Sequence, residues 1–273
     1  MELLVCIKQV PDTSEIKLDP ETNNLIRTGL PSIVNPDDMH ALEAALAVKD
    51  QYEGSRVTVL AMGPPQAEDA LRECLSLGAD DAVLVTDRAF GGADTLATSY
   101  TIASAIRHIQ KTMNRQFEII FCGKQAIDGD TAQVGPQIAE ELGMAQATYA
   151  CKFSVDTAAQ KATVTREHEN GYEIVEVPLP LLVTATAELN EPRQPGLWSS
   201  IYAKRYEFPI LHCVICLILM KAVSALMVPL RAFVRYTNHL FAVKLKCFQT
   251  LKKVLKRFSN WRTILSQKNL LIY

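Results

Sequence analysis

The feature of this sequence that most restricts its fold is a regular alternation of short apolar runs with amphipathic segments. Four runs are apolar, unbroken by charge and rich in β-forming residues, at 3–7, 57–61, 82–85 and 117–122. Such runs are typical of strands buried on both faces. Segments with helical spacing of apolar residues separate or follow them, at about 38–49, 66–77, 94–111 and 131–142. The alternation predicts an α/β fold, with helices on both faces of a mostly parallel sheet.

The pattern changes near residue 148. Residues 148–155, 161–167 and 172–177 look like strands with one polar face, and turn material separates them. They predict an antiparallel addition near 148–177. Residues 181–185 are apolar again and are expected to return as a core strand.

Composition argues against several classes of function. The chain of 273 residues has a formal charge of −2, which argues against general nucleic-acid binding. Its seven cysteines are scattered without metal-ligand spacing in the main body, so we expect no metal site and a reduced, cytoplasmic protein. The N-terminus begins a strand directly, which is not typical of a signal peptide. No HExxH, nucleophile elbow or paired acidic motif indicates an acid–base enzyme, so no catalytic residue is assigned.

The strongest local motif follows the apolar run at 117–122 and reads GKQAIDGDTAQVGPQIAEELG, residues 123–143. Its glycines permit a tight loop with close backbone approach, and Asp130 or Thr131 is placed to cap the next helix. The N–H groups at that helix start suit a phosphate or pyrophosphate. Asp128 could bond a ribose or cap the loop, and Gln133 could offer its amide to a phosphate or base. A plain strand-to-helix turn with aspartate caps explains the same pattern, so both interpretations stay open.

Two further segments lead from an apolar run into a helix. In SIVNPDDMHALEAAL, residues 32–46, Pro36 forces Asn35 out of the helical region, and Asp37 or Asp38 is expected to cap. Asn35 could present its amide to an adenine ring or serve as a structural cap. The segment AMGPPQAEDAL, residues 61–71, turns from a strand end into a helix, which is where open α/β sheets bind ligands.

Taken in order, the segments VCIKQVPD, VNPDD, AMGPPQAEDALRECLSLGAD, GKQAIDGDTAQVGP and TATAELNEPR resemble the β subunit of electron-transfer flavoproteins over about residues 1–211. The resemblance implies an adenine-nucleotide-binding α/β domain at 1–190 and a heterodimer with a flavin-carrying α subunit. Ordinary members hold AMP in the β subunit, whereas an electron-bifurcating branch holds FAD there, which accepts hydride from NADH. The wording of DGDTAQVGP and ADTLATS resembles the bifurcating branch more closely.

The resemblance also implies site residues and partners. Those implied for cofactor binding are Cys6, Asn35, Pro36, Asp37, Asp38, Met62, Gly123, Lys124, Gln125, Ala126, Ile127, Asp128, Gly129, Asp130, Thr131, Ala132, Gln133 and Val134. Residues 191–211 are implied to be a loop that docks dehydrogenases of the acyl-CoA type, with Leu197 as its apolar anchor; a surface linker is the alternative. Ferredoxin is a further implied partner of the bifurcating branch.

Two rival functions are weighed against this resemblance. An enzyme of the ATP-pyrophosphatase type needs a glycine-rich phosphate loop after the first strand, where this chain has KQVPD. A nucleotide sensor without redox function is the other rival, and co-purification with a yellow α subunit would exclude it.

The resemblance ends near residue 211, where the charge balance changes sign. Residues 212–273 contain eleven Lys and Arg and no Asp or Glu, whereas residues 1–211 contain seventeen basic and thirty acidic residues. An apolar stretch at 210–230 is nearly long enough to span a bilayer, but Lys221 in its middle counts against a membrane segment. A basic surface patch is another interpretation. The preferred hypothesis is a frame-shifted tail, in which the Cys213–Cys216 pair is accidental.

Overall fold

The fold follows the alternation in the sequence, and the computed structural model describes it for residues 1–12 and 32–212. In chain order its elements are β1 (Glu2–Ile7), β2 (Gln9–Pro11), β3 (Ser32–Val34), α1 (Pro36–Gln51), β4 (Arg56–Met62), α2 (Ala67–Leu77), β5 (Asp81–Val85), a short 3-10 helix (Arg88–Phe90), α3 (Thr95–Met113), β6 (Ile119–Gly123), α4 (Val134–Leu142), β7 (Ala145–Asp156), β8 (Lys161–His168), β9 (Gly171–Pro178), β10 (Leu181–Ala185), α5 (Leu197–Arg205) and β11 (Ile210–Leu211). The hypothesis of a frame-shifted tail falls on residues 212–273, which lie outside the described residues except for His212.

A mixed sheet of nine strands organises the described residues, in the order β11–β5–β4–β1–β6–β10–β7–β8–β9. The strands from β11 to β7 run parallel to their neighbours, and β8 and β9 are added antiparallel. The predicted α/β class, the mostly parallel sheet and the antiparallel addition are therefore confirmed. Strands β2 and β3 pair separately, as a small antiparallel ribbon.

Helices cover both faces of the sheet because its central strands are apolar on both sides. In β1, Leu3, Val5 and Ile7 belong to the core formed with α1 and α2. Leu4 and Cys6 belong to the second core, formed with α3 and α4. All five side chains are buried, and each large one contributes about 1.5–3 kcal/mol by leaving water. Two-sided burial explains why this strand reads as a continuous apolar run.

The ends of α2 and α3 follow the signals in the sequence. Gly78 ends α2 with φ 124°, a conformation that favours glycine, as predicted for this stop. Asp94 caps α3, because its carboxylate accepts a hydrogen bond of 2.8 Å from the N–H of Ala97.

The start of α4 differs from the prediction. The helix begins at Val134 after Gln133, which makes no side-chain cap, so the expected cap by Asp130 or Thr131 is wrong. Asp130 and Ala132 have φ values of 47° and 52°, in the left-handed region. A chain with these dihedral angles cannot form a right-handed helix before residue 133.

The order of strands creates a switch point at the centre of the sheet. The chain passes from β1 to β4 and β5 on one side, and then crosses to β6 and β10 on the other. In open α/β sheets, ligands bind outside the carboxyl ends of the strands at such a switch point. The crevice at the ends of β1 and β6 is therefore where this topology favours a ligand.

Within the described ranges, no helix is long and apolar enough to cross a bilayer.

Candidate functional site

One buried carboxylate joins the start of α1 to the ends of β1 and β6. Asp38 Oδ2 accepts a hydrogen bond of 2.7 Å from the N–H of Lys8, and Oδ1 accepts one of 3.0 Å from the N–H of Gly123. A Cβ at Gly123 would lie 2.3 Å from Asp38 Oδ1, so only glycine allows this approach. Asp38 therefore fixes the place where the loop after β6 begins.

Burial shifts the titration of this carboxyl. Asp38 is 6% exposed, and burial raises its pKa to about 7. Hydrogen bonds from the Lys8 N–H, the Asn35 side chain and the Gly123 N–H act in the opposite direction, while the nearby charge of Asp37 raises the pKa further. The site thus contains a carboxyl whose charge changes near neutral pH.

Asn35 binds the same loop at Gln125 and Ile127, two and four residues after Gly123. Its Oδ1 accepts a hydrogen bond of 3.1 Å from the N–H of Ile127, and its Nδ2 donates one of 2.8 Å to the carbonyl of Gln125. Its own N–H donates to the Lys8 carbonyl at 2.9 Å. Asn35 is 1% exposed, so the amide group, for which the sequence left open an adenine contact or a structural cap, faces the protein backbone.

The first turn of α1 carries the remaining residues of this motif. The helix begins at exposed Pro36, directly after Asn35, which has the extended conformation expected before proline. The prediction that Asp37 or Asp38 caps the helix is wrong, because both lie inside its first turn. Asp37 Oδ2 instead accepts a hydrogen bond of 3.3 Å from the N–H of Gln125.

Lys8 is a site residue that the sequence interpretation missed. Its Nζ forms an ion pair of 2.5 Å with Asp128 Oδ1, whose side chain is 4% exposed. Asp128 therefore binds a lysine from the end of β1, where the sequence left open a ribose contact or a loop cap. A lysine directly after a buried strand was the available signal, but the segment KQVPD was used only for the family resemblance and to exclude a glycine-rich phosphate loop.

The outer side of the loop is open to solvent. Ile127 is 51% exposed, and Gly129, Asp130 and Thr131 are exposed beside it. A Cβ at Gly129 would approach only Lys8 Nζ, at 3.8 Å, so protein packing does not require glycine there. Space beyond Gly129 is what a backbone that approaches a ligand needs.

The loop leads into a helix start that suits an anion. The N-cap residue Gln133 makes no side-chain cap of α4, which leaves the N–H groups of Val134 and Gly135 for a phosphate, whereas Pro136 has no N–H. Gly135 brings this helix against β10, since a Cβ there would lie 2.7 Å from Thr184 Cγ2. Thr95 Oγ1 donates a hydrogen bond of 3.0 Å to Gln133 Oε1, which ties the start of α3 to the start of α4.

The other predicted site residues lie around this crevice. Cys6 and Cys122 are neighbours in register, and a hydrogen bond with Cys6 together with burial raises the pKa of the Cys122 thiol. Met62 ends β4, the strand beside β1, and packs against the core on the α3 side. Lys124 places its Nζ 5.3 Å from the centre of the Tyr149 ring. Within residues 1–12 and 32–212, no group of three or more possible metal ligands occurs.

The predicted docking residue lies on a helix. Leu197 is 73% exposed and is the first residue of α5, which corrects its expected place in a loop. Trp198, at 81%, is more exposed, and Ile201 and Tyr202 at 38% and 46% extend the same surface. We call these four residues the α5 surface. Their spacing of one, four and five positions was a visible helical signal that the sequence interpretation did not use.

The segment before α5 is fixed to α1 by an arginine. Arg193 donates from Nε and one Nη to the two oxygens of Glu43, at 2.8 and 2.9 Å, and its N–H donates to the same carboxylate at 3.1 Å. The guanidinium also binds Asp50 at 2.8 Å. Asn190 is held in the same way, since its Nδ2 donates to the carbonyl of His40 and its own carbonyl lies 2.9 Å from His40 Nδ1. We call the contacts of Arg193 with Glu43 and Asp50 the arginine clasp.

Comparison with known proteins gives consistent matches. A model of the electron transfer flavoprotein domain matches residues 22–203. The chain is 55% identical over 210 residues to the electron transfer flavoprotein subunit beta of Megasphaera elsdenii, with 77% of each chain covered. It is 58% identical over 193 residues to the subunit of the same name in Clostridium acetobutylicum, with 71% of each covered. It is 53% identical over 210 residues to the caffeyl-CoA reductase-Etf complex subunit CarD of Acetobacterium woodii, with 77% of each covered.

Proposed function

This chain belongs to the electron transfer flavoprotein family, as a β subunit, and on that premise we propose that residues 1–190 bind an adenine nucleotide at the ends of β1 and β6. The observation that carries the proposal is the loop 123–133 at the switch point of the sheet. Its inner side is hydrogen-bonded to Asn35 and to the first turn of α1, and its exposed outer side leads through exposed Gln133 into α4, which Gln133 does not cap. This arrangement suits the phosphates of a nucleotide.

We assign FAD to this site, with AMP as the alternative, and NADH as the substrate that reduces the flavin. The loop sequence DGDTAQVGP supports FAD, because it resembles the sequences of the bifurcating branch of the family. The similarity to a caffeyl-CoA reductase-Etf complex subunit is consistent with this assignment. Under the assignment, the chain works in flavin-based electron bifurcation.

The residues of this chain bind and orient the nucleotide, and a bound flavin supplies the redox chemistry. The N–H groups of Val134 and Gly135 at the start of α4 would hold phosphate, and the exposed backbone near Gly129 leaves space for it. Lys8 adds a positive charge at the same edge, partly balanced by Asp128. No side chain of the site is assigned as a proton donor or acceptor.

The proposed partners are an α subunit, in a heterodimer, and a dehydrogenase of the acyl-CoA type. Ferredoxin is a further proposed partner under the bifurcating assignment. The α5 surface is assigned to the dehydrogenase because its apolar side chains are exposed and because the arginine clasp holds the segment before α5 to α1. A cytoplasmic location is proposed from the free thiols of Cys6, Cys74, Cys122 and Cys151.

The test is the cofactor content of the heterodimer purified without added nucleotide. Acid release followed by chromatography should give two FAD per heterodimer. One FAD and one AMP would replace the bifurcating assignment by the plain carrier. Absence of any adenine nucleotide from this subunit would overturn the proposed function.

A further inference from the structure

We propose that Asn35 and Asp38 are positioning residues that hold the loop 123–127 in its binding shape before a nucleotide arrives, with side chains that do not touch the nucleotide. The inference rests on the proposed function, because it concerns the same site. It reassigns two residues from ligand contact to support of the loop. The contacts of α1 with this loop carry it.

Burial is the first step of the argument. Asn35 and Asp38 are 1% and 6% exposed, although the neighbouring Pro36 is exposed and Asp37 is half-buried. A ligand in the crevice cannot reach a side chain that the protein already covers on all sides. Direct contact with either side chain would require α1 to separate from the loop.

The second step is the use of hydrogen-bonding groups. Both oxygens of Asp38 and both polar atoms of the Asn35 amide bind backbone groups of the strand ends or of the loop. The carboxylate and amide thus fix the loop at residues 123, 125 and 127. The intervening N–H of Lys124 donates to the Ala185 carbonyl at 2.8 Å, which fixes the loop to β10 as well.

The third step is the consequence for the ligand. The N–H groups of Gly123, Gln125 and Ile127 donate to Asn35 or to the first turn of α1. Those of Gly129 and Asp130 donate to the Ala126 carbonyl, so phosphate contacts fall to residues 131–134. The position of that outer segment depends on the inner one. A loop held in place before binding loses less conformational freedom when the ligand arrives, which raises affinity.

The test uses the full chain with its α subunit, freed of nucleotide, and four substitutions. Asn35→Ala removes both hydrogen bonds of the amide, to the Ile127 N–H and to the Gln125 carbonyl. Asn35→Asp keeps the oxygen that accepts from Ile127 and replaces the donor to Gln125 by an acceptor. Asp38→Asn places an NH₂ group against a backbone N–H. Asp69→Asn is the matched control, because it makes the same charge change in the first turn of another helix, α2, where Asp69 is exposed.

Hydrogen exchange of the loop amides in the nucleotide-free protein is the first measurement, and titration with FAD and with AMP is the second. Asn35→Ala and Asp38→Asn should each accelerate exchange at 123–127 by about tenfold or more and weaken both nucleotides about equally. Asn35→Asp should preserve protection at Ile127 and lose it near Gln125, and Asp69→Asn should change either quantity by less than about threefold. Urea denaturation should show that the variants remain folded.

Two results would overturn the inference. The first is weaker nucleotide binding by Asn35→Ala or Asp38→Asn with unchanged exchange in the nucleotide-free protein, which would indicate direct contacts. The second is faster exchange with unchanged affinity, because the loop shape would then not matter for binding. If one of these variants does not fold, Asn35→Asp decides by its residue-by-residue pattern. If the wild-type protein binds neither nucleotide, the proposed function fails while the exchange data alone decide whether α1 holds the loop.

Discussion

At the scale of single residues, Asp38 is under two opposing influences. Its two backbone donors favour the ionised carboxylate, and its burial favours the protonated one, with a pKa of about 7 as the outcome. The charged or titratable side chains nearby are Asp37 on its own helix, Lys8 with Asp128 across the loop, and the thiols of Cys6, Cys74 and Cys122. Among these, Asp38 is the one whose raised pKa enters the neutral range.

We predict that Asp38 makes the nucleotide-free protein less stable as pH rises from about 4 to about 7. The folded state binds one proton more than the unfolded state in this window, because the pKa is raised from 3.8 to about 7. The free energy of unfolding should therefore fall by up to about 1.4 kcal/mol per pH unit on account of this group. Urea denaturation at several pH values measures the slope.

Asp38→Asn should abolish this contribution, and Asp37→Asn should keep it. The difference in unfolding free energy between the wild type and Asp38→Asn should thus shift in favour of the wild type at lower pH. A pH-independent difference between pH 4.5 and 6.5 would contradict the assigned titration.

Gly129 gives a second prediction at this scale. Gly129→Val should lower the nucleotide content of the heterodimer strongly, because branched carbons would occupy the space at the exposed backbone. Gly129→Ala should have an intermediate effect. The melting temperature of the nucleotide-free protein should hardly change, since a Cβ would approach only Lys8 Nζ, at 3.8 Å. Unchanged nucleotide stoichiometry in Gly129→Val would refute the placement of the phosphates.

Single residues also show where the sequence interpretation was limited. The residues of the site were recognisable from the sequence motifs. Their hydrogen-bond partners were not, because a bond between positions 35 and 127 depends on tertiary packing. The residue pattern assigned Asp37 or Asp38 to helix capping, a local role, and the family resemblance implied cofactor binding for both. The contacts of Asp38 are instead with Lys8 and Gly123, thirty and eighty-five positions away. Local propensity contains no information about such pairs.

At the scale of elements, strands were predicted better than helix starts. Strand β10 was predicted with its exact bounds and is buried throughout, because an unbroken apolar run has one stable place in an α/β sheet. The start of α4 was predicted about three residues too early. Asp130 and Ala132 adopt left-handed conformations, which their residue types do not predict. Helix α5 was taken as a loop, and its exposed apolar residues were recognised only at Leu197.

The α5 surface gives the prediction that belongs to this scale. Leu197→Ala and Trp198→Ala should each weaken coupling to the partner dehydrogenase, by about 2 kcal/mol or more in binding, while cofactor content stays unchanged. Steady-state turnover at varied dehydrogenase concentration measures the effect. Ser200→Ala is a control on the same helix, because its hydroxyl already donates to the Gly196 carbonyl at 2.7 Å. Equal coupling in the wild type and both variants would discard the α5 surface as the docking site.

At the scale of the whole molecule, the heterodimer is the unit that tests function. We predict that anaerobic mixing with NADH bleaches the flavin absorbance nearly stoichiometrically, because the site in this subunit is assigned to an FAD that accepts hydride. The alternative function, a plain AMP-binding electron carrier, predicts no bleaching by NADH and one AMP per heterodimer. Spectra recorded during titration with NADH separate the two.

The proposed frame-shift in residues 212–273 is testable in the coding DNA. The observation behind it is the absence of acidic residues from this segment, next to thirty in residues 1–211. A single-base insertion or deletion near codon 211 should restore a polar, acidic arm in another frame. If no frame encodes such an arm, the tail is a native part of the protein and needs a functional explanation.

The route of the chain after β10 has a consequence for the order of folding. This route leaves β10, crosses the face covered by α1 and α2, and ends at β11 beside β5, on the far edge of the parallel strands. Its anchors are Arg193 on Glu43, Ser199 on Ser76 and the Tyr202 hydroxyl on the carbonyl of Asp80, all more than 120 positions apart in sequence. Each anchor requires its distant partner, in α1, in α2 or in the turn after α2, to be in place first. In a refolding chain, we expect the amides of α5 to gain protection last, so that the proposed dehydrogenase surface of a newly made subunit would form only after the proposed nucleotide site.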